Sequence, residues 1–181
     1  MKIVYSWFAL IFFSSWCLVC GQDGNSAPSL RASYPSLELQ ATEYGAAFVQ
    51  KDFERFVELT YQKYVESTGG KQKLIYVVKG TSQQFEADGV QLISWKPIDV
   101  TQILNESGSL YAVVPMTMQM NRGKQALELN DCLIGVSVDG GKQWTFVSSD
   151  CVKLNQMFPE VAEKLVLCPT DSNARPVEPP V

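Results

Sequence analysis

The chain has 181 residues, enough for one domain, and a 46% hydrophobic content that can bury a core. Its formal net charge is −4 and no long Lys/Arg run occurs, which excludes nucleic-acid binding through a basic face. It has no histidine, so Ser-His-Asp and Cys-His catalysis, His-ligated zinc and a histidine general base are all removed.

The chain opens with MKIVYSWFALIFFSSWCLVCG, in which one Lys precedes an apolar run and then small residues. This is the layout of a signal peptide over residues 1–21, with Lys2 as its basic region and cleavage ahead of Gln22. An uncleaved anchor is a second reading, since the apolar stretch is long enough to span a bilayer. Lipidation at Cys17 or Cys20 is a third, although neither has a good lipobox before it. All three place the domain outside the cytoplasm, periplasmic or extracellular, and cleavage would leave no membrane span.

Residues 22–35 are polar and turn-rich and read as a flexible leader. From Ser36, a candidate N-cap, apolar residues recur at helical spacing: Leu37, Ala41, Tyr44 and Phe48. A second helix follows the joint at residues 50–52. Asp52 caps it, and Phe53, Phe56, Val57, Thr60 and Tyr61 form its apolar side. Gly69-Gly70 closes this region, and a third helix follows with Leu74, Val77, Val78 and Phe85 on one side.

After Gly89 the period becomes that of strands. Residues 90–99 alternate, with Val90, Leu92 and Ser94 opposite Gln91, Ile93 and Trp95. The NESG turn then leads into SLYAVVPMTMQMN, where Pro115 argues for an edge position or a bulge. KQALELNDCLIGVSV and QWTFVSSDCV form the last strand pair. Residues 154–165 read as a short helix or two turns broken at Pro159, and the Pro-rich residues 169–181 as a disordered tail. Helices segregated from strands make an α+β domain over residues 36–168.

Cleavage before Gln22 leaves Cys132, Cys151 and Cys168. Folding the last pair so that Val138 faces Thr145 sets Cys132 opposite Cys151, within disulfide reach, and leaves Cys168 unpaired. The alternative is that Cys132 and Cys151 are small buried thiols.

The turn between these strands, SVDGGKQWTF, nearly spells the Asp box of sialidase-type propellers. A propeller repeats its motif once per blade, and this chain has one copy. The stretch reads as a structural hairpin: Asp139 accepts backbone N–H bonds, Gly140 and Gly141 supply positive φ, and Trp144 packs over the loop.

EYGAAFVQKDFERFVELTYQKYVESTGGKQKLIYVV, PMTMQM, LIGVSVDGGKQWTFV and FPEVAEKLVL together resemble the secreted bacterial members of the nuclear transport factor 2-like superfamily, over roughly residues 38–168. The resemblance implies three N-terminal helices packed on a strongly curved antiparallel sheet, a cone with a pocket, and a homodimer. That superfamily holds both enzymes and non-enzymatic binding domains, so fold does not convert to reaction.

Polar and soft residues of the sheet and helices are the pocket candidates: Tyr61, Tyr64, Trp95, Tyr111, Met116, Met118, Glu128 and Asp131. Met116, Met118 and Met120 share one face and read as core or pocket wall rather than a metal site. Alternation puts Glu128 opposite the leucines, in solvent. It puts Asp131 on the leucine face, unless a bulge near Asn130 turns it outward, which is the expectation taken here. The expected role is an exported, non-catalytic domain without cofactor that binds a small apolar ligand or a protein partner. The alternative is a small lyase or isomerase using a Tyr and a carboxylate.

Overall fold

The computed structural model describes residues 34–171 and 174–177. The signal-peptide, anchor and lipidation readings, and nearly all of the leader, lie outside them. Within them, no helix is long and apolar enough to cross a membrane.

Helix α1 spans Pro35–Val49. Proline is pre-set for the first helical position, so Tyr34 rather than Ser36 is the N-cap. Ser36 lies inside the first turn, and its hydroxyl donates to the Gly141 carbonyl. Leu37, Ala41, Tyr44 and Phe48 are buried along one stripe. Lys51 takes a positive φ of 62° at the joint. The Asp52 side chain then caps α2, Phe53–Glu58, accepting the Arg55 N–H at 3.1 Å.

The second predicted helix is in fact two short ones, α2 and α3, Gln62–Ser67. Between them the backbone leaves the helical path to bond the last long hairpin. Phe146 N–H donates to the Leu59 carbonyl at 2.8 Å, and Tyr61 N–H to the Phe146 carbonyl at 2.9 Å. Residues 59–61 thereby cover a sheet edge that would otherwise stand open. After Gly69 and Gly70, both at positive φ, α4 runs Lys71–Ala87.

The strands are β1 Val90–Pro97, β2 Gln102–Glu106, β3 Ser109–Arg122, β4 Gln125–Ser137, β5 Thr145–Ser148 and the short β6 Arg175–Pro176. They make one antiparallel sheet in the order β1-β3-β4-β5, curled into a half-barrel. The β3–β4 hairpin is its spine, paired without a break from Arg122 opposite Gln125 to Leu110 opposite Ser137. β1 and β2 share the other edge of β3. Pro115 is therefore in a central strand, not at an edge or bulge. It faces the connection between β1 and β2, where its carbonyl accepts the Ile98 N–H at 2.9 Å and no ladder donor is required of it.

Strict alternation in β1 is broken by a bulge. Leu92 pairs with Met120 and Ser94 with Gln119, so Ile93 is the extra residue. Ile93 faces outward, 47% exposed, and the bulge brings Trp95 to the same face as Val90. Helix α1 packs on this strand through Gly45, where a Cβ would lie 2.0 Å from the Trp95 carbonyl oxygen.

The inner face of the sheet packs on the helices. Ala112, Val114, Met116, Met118 and Met120 of β3 meet Leu37, Tyr44, Phe48, Phe56 and Leu74. The outer face is covered by the chain after β5. Tyr111, Val113, Cys132 and Ile134 pack on Tyr61, Phe158, Val161 and Leu165. Helix α5, Leu154–Met157, ends at Phe158, and Pro159 separates it from the turn that follows.

The expected cysteine pairing is corrected. Cys132 is joined to Cys168, with Cα atoms 5.6 Å apart, and Cys151 is free. β4 and β5 pair Val136 with Thr145 and Ile134 with Val147, two residues away from the expected register, because the loop takes up residues 138–144. Cys151 falls past the strand in the 3-10 turn Ser149–Cys151. Cys132 points to the outer face, where the returning chain delivers Cys168.

The tail is corrected in part as well. Beyond β5 the edge of β4 has unpaired backbone groups, and the tail satisfies them. Asp171 N–H donates to the Asn130 carbonyl at 3.0 Å, and the Asp171 carboxylate accepts the Asn130 N–H at 2.9 Å. β6 then pairs with Leu127 and Glu128.

Candidate functional site

A cavity of about 260 Å³ lies between the inner face of the sheet and the helices. The walls come from the helices, the break after α2 and the strands. The stripe of α1 supplies Tyr44 and Phe48, α2 and the break after it supply Phe56 and Thr60, and α3 supplies Tyr64. The floor is Met118 of β3 with Trp95, which reaches it through the β1 bulge. Leu74, Val77 and Val78 of α4 form a third wall, and Val77, 46% exposed, stands at its rim.

These walls are largely apolar and aromatic. The Tyr44 and Phe56 rings stack with centroids 4.3 Å apart, and Tyr44 and Trp95 lie 5.4 Å apart. The Trp95 residue is only 6% exposed, and its indole N–H is buried without an acceptor among the described residues. A buried donor left without a partner costs about 1–3 kcal/mol.

The polar groups of the wall are Asp131, Ser148 and Cys151 from the sheet side, and Thr60, Tyr64 and Thr81 from the helical side. Asp131 sits opposite Met116 in the unbroken β3–β4 register, so it shares the inner face with Leu129 and Leu133. The outward bulge near Asn130 does not occur. The tail bonds Asn130 from the strand edge and leaves its pairing intact.

The Ser148 hydroxyl donates to Asp131 Oδ1 at 2.9 Å, and the Cys132 N–H donates to the same oxygen at 2.7 Å. Burial raises the Asp131 carboxyl above the ordinary carboxylate range; these two bonds oppose the rise, and the nearby Asp150 adds to it. Among the described residues it is the only charged side chain on the cavity wall.

Burial, then the Asp131 charge, pushes the Cys151 thiol up. A thiol raised in this way stays protonated near neutral pH and is a poor nucleophile. Burial likewise raises the Tyr44 and Tyr64 phenols, Tyr44 strongly. The Thr60 hydroxyl donates to the Phe56 carbonyl at 2.8 Å.

The structure brings together Tyr64, Trp95, Met118 and Asp131 of the predicted pocket residues and disperses the others. Tyr61 stacks on Phe158 on the outer face, at 5.1 Å. Tyr111 is also outer, and its hydroxyl donates to Glu160 at 2.6 Å. Met116 is fully buried in the inner core but does not reach the cavity. Glu128 lies away from it, opposite Arg175. Tyr44, Phe56, Thr60 and Ser148 are wall residues that sequence reasoning did not name as pocket candidates. Helical spacing already put Tyr44 and Phe56 on buried faces, whereas Ser148 depends on the β5 register.

The Asp139 loop is a closed hydrogen-bonded unit away from the cavity. Asp139 Oδ1 accepts the backbone N–H groups of Lys142 and Gln143, both at 3.0 Å, and the Ser137 hydroxyl at 2.9 Å. The backbone bond from Gln143 leads in holding its carboxyl below the usual range. Gly140 and Gly141 take φ of 75° and 89°. Trp144 folds back to donate to the Gly141 carbonyl at 3.1 Å, and Gln40 of α1 clasps the loop from outside.

Comparison with known protein families finds no match, and no curated protein matches the chain.

Proposed function

We propose that this is an exported binding domain, built on the nuclear transport factor 2-like plan, that holds a small and mostly apolar ligand in the inner-face cavity. The observation that carries the reading is a largely apolar, aromatic cavity of about 260 Å³ with the hydrogen-bonded Asp131–Ser148 pair in its wall. Ligand sites have this make-up: apolar walls for affinity and a few convergent polar groups for orientation. The Cys132–Cys168 disulfide fits an oxidising compartment and supports export. The curled sheet and N-terminal helices are compatible with the cone expected from the resemblance. Homodimerisation is part of the same proposal, and a monomer by light scattering would reject that part.

A ligand that binds only the folded state raises its melting temperature by mass action. Small apolar alcohols and amines should therefore stabilise the protein, and Val77→Trp, which plugs the rim from an exposed position, should abolish the effect. Equal stabilisation of both proteins would place binding elsewhere.

A second reading, a lyase or isomerase, is favoured by one observation: the Asp131 carboxyl, raised by burial, lines the same cavity as the Tyr44 and Tyr64 phenols. On that reading Asp131→Asn keeps ligand binding and loses all turnover of a bound compound with an acidic C–H. A bound compound recovered unchanged from the wild-type protein rejects it.

A further inference from the structure

We propose that the cavity selects a small lipophilic ammonium, a protonated amine on an apolar body, over neutral or anionic molecules of the same shape. The proposal rests on the reading of this cavity as a ligand site and adds the charge of the ligand.

The argument starts at the Asp131 carboxylate. Both hydrogen bonds it accepts converge on Oδ1, from Ser148 and from the Cys132 backbone. Oδ2 takes neither of these bonds, and Asp131 lines the cavity. Among the described residues no Lys or Arg lines the wall to balance the charge. A ligand N–H⁺ supplies the counter-charge that the lining residues lack, and a donor with it.

The aromatic faces of the wall fit the same group, while the Trp95 indole N–H gains no acceptor from it. Tyr44, Phe56, Tyr64 and Trp95 line the cavity. Aromatic faces attract a cation, most strongly where water is displaced. An anionic head would instead meet a carboxylate in a site of low dielectric, where like charges repel far more than in water. A neutral head gains the hydrogen bond but leaves the Asp131 charge uncompensated.

The test is calorimetric titration of the full chain at neutral pH with three probes of one shape: hexylamine, hexanol and hexanoate. Hexylamine should bind about tenfold or more tighter than hexanol, because only the ammonium adds an opposite charge to its hydrogen bond with the carboxylate, and hexanoate should not bind. Asp131→Asn, whose amide oxygen can keep both Oδ1 bonds, should lower hexylamine affinity to that of hexanol and leave hexanol unchanged. Hexanol binding as tightly as hexylamine overturns the charge selectivity while leaving the ligand site standing, and so does measurable hexanoate binding. Failure of all three probes overturns the selectivity and the ligand-site reading together. The wild-type ranking needs no variant, so it decides even if Asp131→Asn does not fold.

Discussion

The Ser148 hydroxyl donates a 2.9 Å hydrogen bond to the Asp131 carboxylate across the β4–β5 pair, in the wall of a largely apolar cavity. A carboxylate placed between Leu129 and Leu133 on a core-facing strand works against stability unless it serves something else.

That cost has a definite pH dependence. The folded state raises the Asp131 carboxyl above its unfolded value, chiefly by burial. The folded form therefore binds the proton more tightly, and stability falls as pH rises through the carboxylate range into neutrality. The Asp131→Asn substitution would remove the charge and keep an oxygen at Oδ1. This variant is expected to melt at or above the wild type at pH 7, with the advantage shrinking as pH drops below the raised value. Melting curves at neutral and acid pH check this, and a variant less stable at pH 7 that loses further ground with rising pH would contradict it.

The disulfide gives a prediction that separates the three cysteines. Cys168→Ser should cost about 2–4 kcal/mol in denaturant unfolding, the usual worth of a bridge in a small domain. Cys151→Ser should change stability little, since Cys151 is unbridged and the substitution keeps a small polar group where the thiol meets the cavity. Peptide mapping without reductant should recover Cys132 joined to Cys168 and Cys151 alkylated. A Cys132–Cys151 peptide would contradict the fold at β5.

Two helical glycines should respond with opposite signs. Alanine is favoured over glycine in a helix by roughly 1 kcal/mol. At Gly80 nothing lies within 4 Å of an added Cβ, so Gly80→Ala should stabilise by about that amount. At Gly45 the Cβ would meet the Trp95 carbonyl at 2.0 Å. Gly45→Ala should destabilise by about 1–3 kcal/mol, the typical cost of overpacking. It should also weaken ligand binding, because the strand it displaces carries Trp95. Urea unfolding of both variants reads the signs, and a stabilising Gly45→Ala would show that α1 does not pack on β1 this closely.

Much of the inner face was legible in the sequence. Helical spacing marked Leu37, Ala41, Tyr44 and Phe48, the Asp52 cap followed from residue type, and alternation put Met116, Met118 and Met120 together. What it could not show were events set by long-range contacts. The break between α2 and α3 exists because residues 59–61 bond Phe146, far along the chain. The bulge at Ile93 moved Trp95 to the cavity against strict alternation. The length of the Asp139 loop shifted the β5 register, and with it the cysteine pairing and the placement of Ser148. Asp131 is the instructive case: alternation alone put it on the leucine face, and the expectation of a corrective bulge moved it away.

The most direct test of the central claim is native mass spectrometry of the protein isolated from its own source, beside Val77→Trp prepared identically. The account predicts a small adduct on the wild-type protein, released on unfolding and missing from Val77→Trp. A bare wild-type mass, or the same adduct on both proteins, would contradict the assignment of this cavity as the ligand site.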